Sequence, residues 1–249
     1  MWKIKPNKEA LEAFSCINRY KGKKIQKFAQ EWEYEIKLDF TNFRDIKEVN
    51  TVVSTCLDGQ DKYYVNHCST ESDYEVCYFE RTDTSEEYSV FIYEGKPMLK
   101  CKKHSILYWR NIPIFKSTER FEYNYADIEE IILNSNAIFK GYMRKQRCKD
   151  FILDVDSGLI FSSAVTRCMA KGAEQYQYEI EYYGHFECEE SITEELICNS
   201  LIHLAMIVSN INEGEFKVSK QTKLEFARND DVSEMKNAAV EQMKELFGN

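Results

Sequence analysis

The sequence predicts an α+β protein in which many antiparallel strands are interrupted by helices. Three observations predict it. Residues 31–40, EWEYEIKLDF, alternate without a break: Glu31, Glu33, Glu35, Lys37 and Asp39 on one side, Trp32, Tyr34, Ile36, Leu38 and Phe40 on the other. Residues 175–184, QYQYEIEYYG, put Glu179 and Glu181 on one face and Tyr178, Ile180 and Tyr182 on the opposite one. From Tyr63 to Tyr125 the chain is rich in Tyr, Phe, Val, Ile and Cys, which favour pleated structure. A period of two is the mark of a β-strand.

An ordinary half-buried strand has an apolar face on a core and a polar face in water. Five successive charges between Glu31 and Asp39 exceed what solubility requires, and the four acidic ones repel unless a cation compensates them. The charged face therefore points to a wet, metal-binding interior, with the apolar face packed against outer layers. The alternative is an exposed edge strand whose charges block aggregation. If the two Glu-x-Glu strands are neighbours, four carboxylates converge, which suits hard cations such as Mg²⁺ or Mn²⁺.

The remaining elements follow in order. Residues 8–30 read as a helix, with Leu11, Phe14, Ile17 and Phe28 recurring among charges. A second helix is expected over 42–54, from the stripe Phe43, Ile46, Val49 and Val53. YSVFIYEGKPMLKCKK contains a hairpin with Glu94-Gly95-Lys96-Pro97 at its turn. Residues 126–134 form a short helix. Strands are expected at 138–149, 151–155, 159–170 and 174–184, with Asp156-Ser157-Gly158 as a turn. Ser191-Ile192-Thr193-Glu194 fits a capping box that opens a helix, which Asn212-Glu213-Gly214 ends. Lys217 to Phe226 reads as a final strand, and a polar helix over 231–246 closes the chain. A barrel of about eight strands has an interior wide enough for side chains or one small ligand.

The 249 residues include only 3 Pro and 9 Gly and contain no linker, so one domain is expected, with its core over 31–226. The net charge of −9 argues against a general nucleic-acid footprint or an anionic membrane as partner. No run of about 18 apolar residues exists to span a bilayer, and no signal peptide is visible. Nine scattered cysteines without a C-x-x-C fit neither a zinc ribbon nor a disulfide framework. The plain reading is a reduced, soluble, cytoplasmic protein.

Glu33-Tyr34-Glu35-Ile36-Lys37 resembles the ExExK motif of the CYTH group of triphosphate tunnel metalloenzymes. The resemblance extends along the chain as spaced short motifs. Arg81 stands where that group has an Arg-rich strand. Lys100-Cys101-Lys102 and Lys145-Gln146-Arg147 fit its inward basic strands, and Arg167 follows. Glu179 and Glu181 fit its late Glu-x-Glu strand, and Lys220 and Lys223 its Ser-Lys-x-x-Lys ending. The resemblance implies a closed antiparallel β-barrel, a tunnel, with flanking helices. It implies Glu33, Glu35, Glu179 and Glu181 as metal ligands for Mg²⁺ or Mn²⁺, with Glu33, Glu35 and Lys37 catalytic. Lys37, Arg81, Lys100, Lys102, Lys145, Arg147, Arg167, Lys220 and Lys223 would hold phosphate.

The implied activity is metal-dependent hydrolysis of a triphosphate-bearing small molecule, inorganic or organic. The alternatives are a class IV-type adenylate cyclase, an RNA 5′-triphosphatase, and a polyphosphate- or nucleotide-binding module without turnover. Individual residues have plainer readings. Lys100, Lys102 and Lys103 suit a solvated strand face, and Arg167 a structural carboxylate partner. Arg144, Lys145, Arg147 and Lys149 are read as covering both faces of their strand, with at least two outward. Asp154 and Asp156 shape a turn, and His203 is a core residue. Trp32, Tyr34, Tyr178 and Tyr182 are outer packing, so recognition of the phosphate chain and not of a base is expected.

Overall fold

The computed structural model describes residues 14, 17–28, 32–41, 45–81, 83–93, 96–134, 137–187, 191–211 and 215–228. Its strands are β1 (Ile25–Gln26), β2 (Trp32–Asp39), β3 (Tyr63–Arg81), β4 (Glu86–Tyr93), β5 (Lys96–Trp109), β6 (Ile112–Glu122), β7 (Ile138–Asp154), β8 (Leu159–Ala170), β9 (Ala173–Phe186) and β10 (Lys217–Val218). Its helices are α1 (Ile46–Asp58), α2 (Tyr125–Asn134), α3 (Glu194–Ser209) and α4 (Lys223–Ala227).

Eight strands form a closed antiparallel ring in the order β9-β8-β7-β3-β4-β5-β6-β2, and β2 pairs back onto β9. The two-residue strands β1 and β10 attach to β9 and β2. Closure leaves the ring no unpaired edge, so the edge-strand alternative for residues 31–40 does not hold.

The main apolar core lies outside the ring. Tyr34, Ile36 and Leu38 of β2, Phe161 and Val165 of β8, and Tyr178, Ile180 and Tyr182 of β9 pack with Val49, Val53 and Leu57 of α1 and Leu201, Leu204 and Val208 of α3. Burying each such side chain contributes about 1.5–3 kcal/mol. On another side, Ile128 and Ile132 of α2 cover Phe79, Val90, Leu99 and Cys101. Over β2 and β9 the alternation turns the glutamates and Lys37 inward, while near α4 Val76, Phe91, Met143 and Cys168 form an apolar cluster with Leu224 and Ala227.

Several elements differ from the sequence reading. Residues 17–28 are not helical: a 3₁₀ turn at Asn18–Tyr20 is followed by Gly22 at φ +78° and by β1, and the Tyr20 ring stacks on Phe186 at 4.7 Å. The second helix starts at Ile46, because the Asp45 carboxylate caps it by accepting from Lys47 N at 2.8 Å. Residues 138–154 are one strand, not two. The buried Asp150 in its middle accepts from Asn50 Nδ2 at 2.6 Å and Ser54 Oγ at 2.9 Å, so α1 supplies what a strand carboxylate would otherwise seek in a break. Asp154 does shape the turn, accepting from Asp156 N and Ser157 N. The cap of α3 is Thr193, not Ser191.

The expected strand over 217–226 is two residues of β10 followed by α4. Thr222 and Glu225 cap each other's backbone reciprocally there, a local signal for helix that outweighs the alternation. His203 is exposed, its Nδ1 2.6 Å from the Tyr63 hydroxyl, so it is not a core residue. The turn residues Glu94 and Gly95, the segment 212–214 and the helix expected over 231–246 lie outside the described residues.

Candidate functional site

Every second side chain of the ring turns inward, and the pairing of β2 with β9 sets Glu35 opposite Glu181 and Lys37 opposite Glu179. β4 adds Glu87, β5 adds Lys100 and Lys102, β6 adds Glu119, and β7 adds Lys145, Arg147 and Lys149. Lys223 reaches in from the start of α4. Together these residues enclose a cavity of about 570 Å³. Glu33 sits beside it, close enough to Glu181, Glu119, Lys102 and Lys100 to feel their charges.

Acids and lysines interleave on the β2, β5, β6 and β9 side. Lys37 Nζ lies 3.5 Å from Glu35 Oε2 and 3.4 Å from Glu179 Oε1, over the Phe115 ring at 4.7 Å. Lys102 Nζ lies 3.5 Å from Glu35 and 3.1 Å from Glu119, Lys100 pairs with Glu119, and Lys223 pairs with Glu179. Burial, then the charges of Glu181 and Glu119, raise Glu33 well above the usual carboxylate range. Burial also pushes Glu119 and Glu179 upward, but neighbouring cations outweigh it and hold both below that range. For Glu119 these are Lys100 and Lys102; for Glu179, Lys223 and Lys37 lead. Glu87 is pushed up to about 7 by burial, against the pull of Lys37 and Lys102.

The opposite wall differs. Among the described residues, Lys145, Arg147 and Lys149 pair with no carboxylate, and the buried Arg147 Nε donates no hydrogen bond. Burial lowers Lys149 to about 8, helped by Arg147 and opposed by Glu181 and Glu33. Lys149 is therefore a cation below about pH 8 and neutral above it. Affinity for a polyanion is expected to fall as pH rises through that value, by at most about tenfold per pH unit for one proton. A Lys149→Arg variant should show a flatter profile by calorimetry; equal slopes in both proteins would remove Lys149 from the binding wall.

Among the described residues no three His, Cys, Asp or Glu side chains are already grouped as a metal cage, because lysine ammonium groups lie between the carboxylates. The donor set nevertheless suits a hard cation. Glu33 Oε2, Glu35 Oε2 and Glu179 Oε1 are buried and accept no hydrogen bond; the latter two face lysine ammonium groups only at 3.4–3.5 Å, which leaves oxygen lone pairs for a cation.

Nine of the residues expected at the site come together: Glu33, Glu35, Lys37, Lys100, Lys102, Lys145, Arg147, Glu179 and Glu181, with Lys223 as a tenth from α4. Three do not. Arg81 binds Asp83 and lines a separate outer pocket with Arg120 and Glu130. Arg167 points outward to Glu174 and Gln146, the structural pairing. Lys220 lies over the Tyr108 ring at 5.1 Å. Of the four basic residues Arg144, Lys145, Arg147 and Lys149, only Arg144 turns out, to Asp73 at 2.7 Å, so the expectation of two outward residues is corrected: positions 145, 147 and 149 share one parity. Sequence reasoning missed Glu119, whose signal is the alternation Phe115, Ser117, Glu119, Phe121. It also missed Tyr74, Phe91, Met98 and Phe121 on the inner wall.

No protein family matches the sequence, and no curated protein is similar to it. Solved structures are similar in shape. One is a conserved hypothetical protein from Pyrococcus furiosus, with 16% identity, 77% of this chain and 98% of that one covered, and a TM-score of 0.46. Another is an adenylyl cyclase candidate from Hippeastrum with a dominant triphosphatase activity (12% identity, 81% and 99% covered, TM-score 0.45). A third is the capping-enzyme triphosphatase of Mimivirus (10% identity, 81% and 96% covered, TM-score 0.39). By its own strand pairing and inward charges, the chain is a closed eight-stranded antiparallel tunnel, the architecture that the resemblance of β2 to the CYTH motif implied.

Proposed function

We propose that this chain is an enzyme that hydrolyses a triphosphate-bearing small molecule, with Mg²⁺ or Mn²⁺ as cofactor. The observation that carries the reading is the asymmetry of the tunnel: Lys145, Arg147 and Lys149 face the cavity without carboxylate partners, opposite a wall of buried glutamates. A cation wall with no carboxylate in direct contact is matched by a polyanion.

The charge balance supports the cofactor. Seven Lys and Arg residues line the cavity, against six Glu, and Glu33 adjoins it. With Glu33 and Glu87 pushed toward their neutral forms, the lining keeps a small excess of positive charge, which a further cation held among the glutamates would enlarge. Glu33, Glu35, Glu179 and Glu181 would hold that ion. When bound, it would supply positive charge that offsets the charge of the phosphate chain.

The chain's own residues do the positioning. Arg147 offers a planar fork and Lys145, Lys149, Lys100 and Lys102 offer point charges to the phosphate oxygens. Lys37, held between Glu35 and Glu179, is placed to bind the terminal phosphoryl group. A positioned water attacks its phosphorus in line, and the bond to the bridging oxygen breaks. Glu87, poised near 7, suits the role of accepting that water's proton.

The test is purified protein with Mg²⁺ or Mn²⁺ and a panel of triphosphates, reading phosphate, pyrophosphate and cyclic nucleotide. Orthophosphate release that stops in chelator is the expected outcome. Pyrophosphate with cyclic nucleotide would mean a cyclase, and binding without product a non-catalytic module. Arg147→Ala should weaken substrate binding by roughly 1.5–3 kcal/mol, the scale of a charged hydrogen-bond set. An unchanged affinity would remove Arg147 from the site.

A further inference from the structure

We propose that Ser117 and Ser162 are positioning residues, whose hydroxyls orient Glu33 and Glu181, the two carboxylates of the proposed site that no lysine holds, toward a bound cation. This rests on the metal reading above and adds to it two residues outside the ligand set. Strand register builds the arrangement. Glu33 of β2 lies opposite Ser117 of β6, and Glu181 of β9 lies opposite Ser162 of β8. Because β2 also pairs with β9, hydroxyl, carboxylate, carboxylate and hydroxyl follow one another around the ring over β6, β2, β9 and β8. Directly opposed residues of an antiparallel pair share a face, with Cβ atoms about 4.5–5.5 Å apart. Glu181 lines the cavity, as does His104, the other neighbour of Ser117. Both serines therefore stand on the inner face, each beside its glutamate.

Ser117 and Ser162 are buried, at 0% and 1% exposure, and neither hydroxyl has a hydrogen-bond partner. A buried hydroxyl without a partner costs its desolvation, which an alanine would avoid. Ala164, the next residue on that face of β8, shows that a methyl group fits this wall.

The placement of the hydroxyls follows the placement of the lysines. Ala164 lies opposite Glu179, which Lys37 and Lys223 already hold. Glu35 contacts Lys37 and Lys102, and Glu119 contacts Lys100 and Lys102. Among the described residues, Glu33 and Glu181 form no ion pair, and these are the two with a serine opposite. A serine hydroxyl turns among three staggered positions about χ1. Turned toward its glutamate, it donates to one carboxylate oxygen and leaves the other for the cation. Donors of this kind fix the orientation of a metal ligand and raise its affinity.

The experiment counts free Mn²⁺ by electron paramagnetic resonance as protein is added. It is run with Mn²⁺ alone and with a methylene-bridged analogue of inorganic triphosphate, which cannot be hydrolysed. Ser117→Ala and Ser162→Ala should each weaken Mn²⁺ binding by at least about tenfold, the scale of a lost outer partner. Their metal-free Tm should match or exceed that of wild type, since only an unpartnered hydroxyl is removed. In a Glu181→Gln background, Ser162→Ala should add no further loss, because it acts through that carboxylate. Thr166→Val is the control. Thr166 is another buried hydroxyl without a partner, but it lies opposite Arg147 and Gln177, so its loss should leave Mn²⁺ affinity unchanged. A wild-type affinity in either alanine variant refutes the role of that serine and leaves the metal reading standing. A weaker affinity together with a lowered metal-free Tm makes the serine structural and also refutes its role. If wild type takes up no Mn²⁺ in either condition, the metal reading fails and the serines' role with it.

Discussion

A Glu33→Gln/Glu35→Gln double variant is expected to lose at least about 10³-fold in turnover while keeping its fold. Even a residue that only supports a metal ligand typically costs about 10–100-fold in affinity, and here two proposed ligands go at once. Glutamine keeps the shape and removes the charge. The Glu33→Gln change alone should be well tolerated by the metal-free tunnel, because Glu33 stands buried beside Glu181 and Glu119, and its raised pKa records the cost of ionising it there, whereas Glu35→Gln takes a partner from Lys37 and Lys102. The sign follows from linkage. A carboxylate whose folded pKa is raised binds its proton more tightly in the native state, so it costs stability as pH rises above about 4.5, its ordinary value. Removing it should raise apo stability near neutral pH by about 1 kcal/mol, or about 2–4 °C in Tm. Full activity in the double variant would sink the carboxylate assignment. Lost activity together with a collapsed Tm would show instead that the glutamates serve the fold.

Gly141→Ala is expected to dislodge α4. A Cβ at Gly141 would stand 2.0 Å from the Ala227 carbonyl oxygen and 2.7 Å from its carbon. Both are backbone atoms of the five-residue helix that delivers Lys223 to Glu179, and neither can rotate away. The strain should cost about 1–3 kcal/mol, as overpacking does. It is relieved most cheaply by moving α4 off β7, which withdraws Lys223 from the tunnel. Hydrogen exchange should quicken over Ser219–Arg228 and stay unchanged in β2 and β9. Protection equal to wild type, with an unaltered Tm, would show that α4 does not pack as described.

Much of the site was legible in the sequence because the tunnel is apolar outside and charged inside. Glu33, Glu35 and Lys37 alternate with Tyr34, Ile36 and Leu38, and strand geometry has only two faces to offer them. The same rule, applied to positions 145, 147 and 149, would have sent all three inward. What stayed illegible depended on tertiary partners. Asp150 looked like an interruption because its hydrogen bonds come from Asn50 and Ser54, far away in sequence. Tyr74, Phe91 and Met98 gave no signal of their place because an inward apolar residue and an outward one read alike in a strand. Lys223 escaped its register because Thr222 and Glu225 turn that segment into a helix. Arg81 and Arg167 kept the residue type expected of them but stand on the outer side of the wall, one bound to Asp83 and the other to Glu174.

Closing the ring through β2 and β9 sets a timetable for synthesis. β2 leaves the ribosome first of the eight ring strands, and its partner β9 leaves last. The helix that shields Tyr34, Ile36 and Leu38, α3, emerges later still. Once β6 has emerged it can pair with one edge of β2, but until β9 and α3 follow, the other edge stays open and the greasy side uncovered. Contacts between such distant partners form slowly, and exposed apolar strands invite aggregation meanwhile. The protein's most vulnerable period is therefore its birth, and its yield in a cell should depend more on chaperone supply and translation speed than on the stability of the finished tunnel.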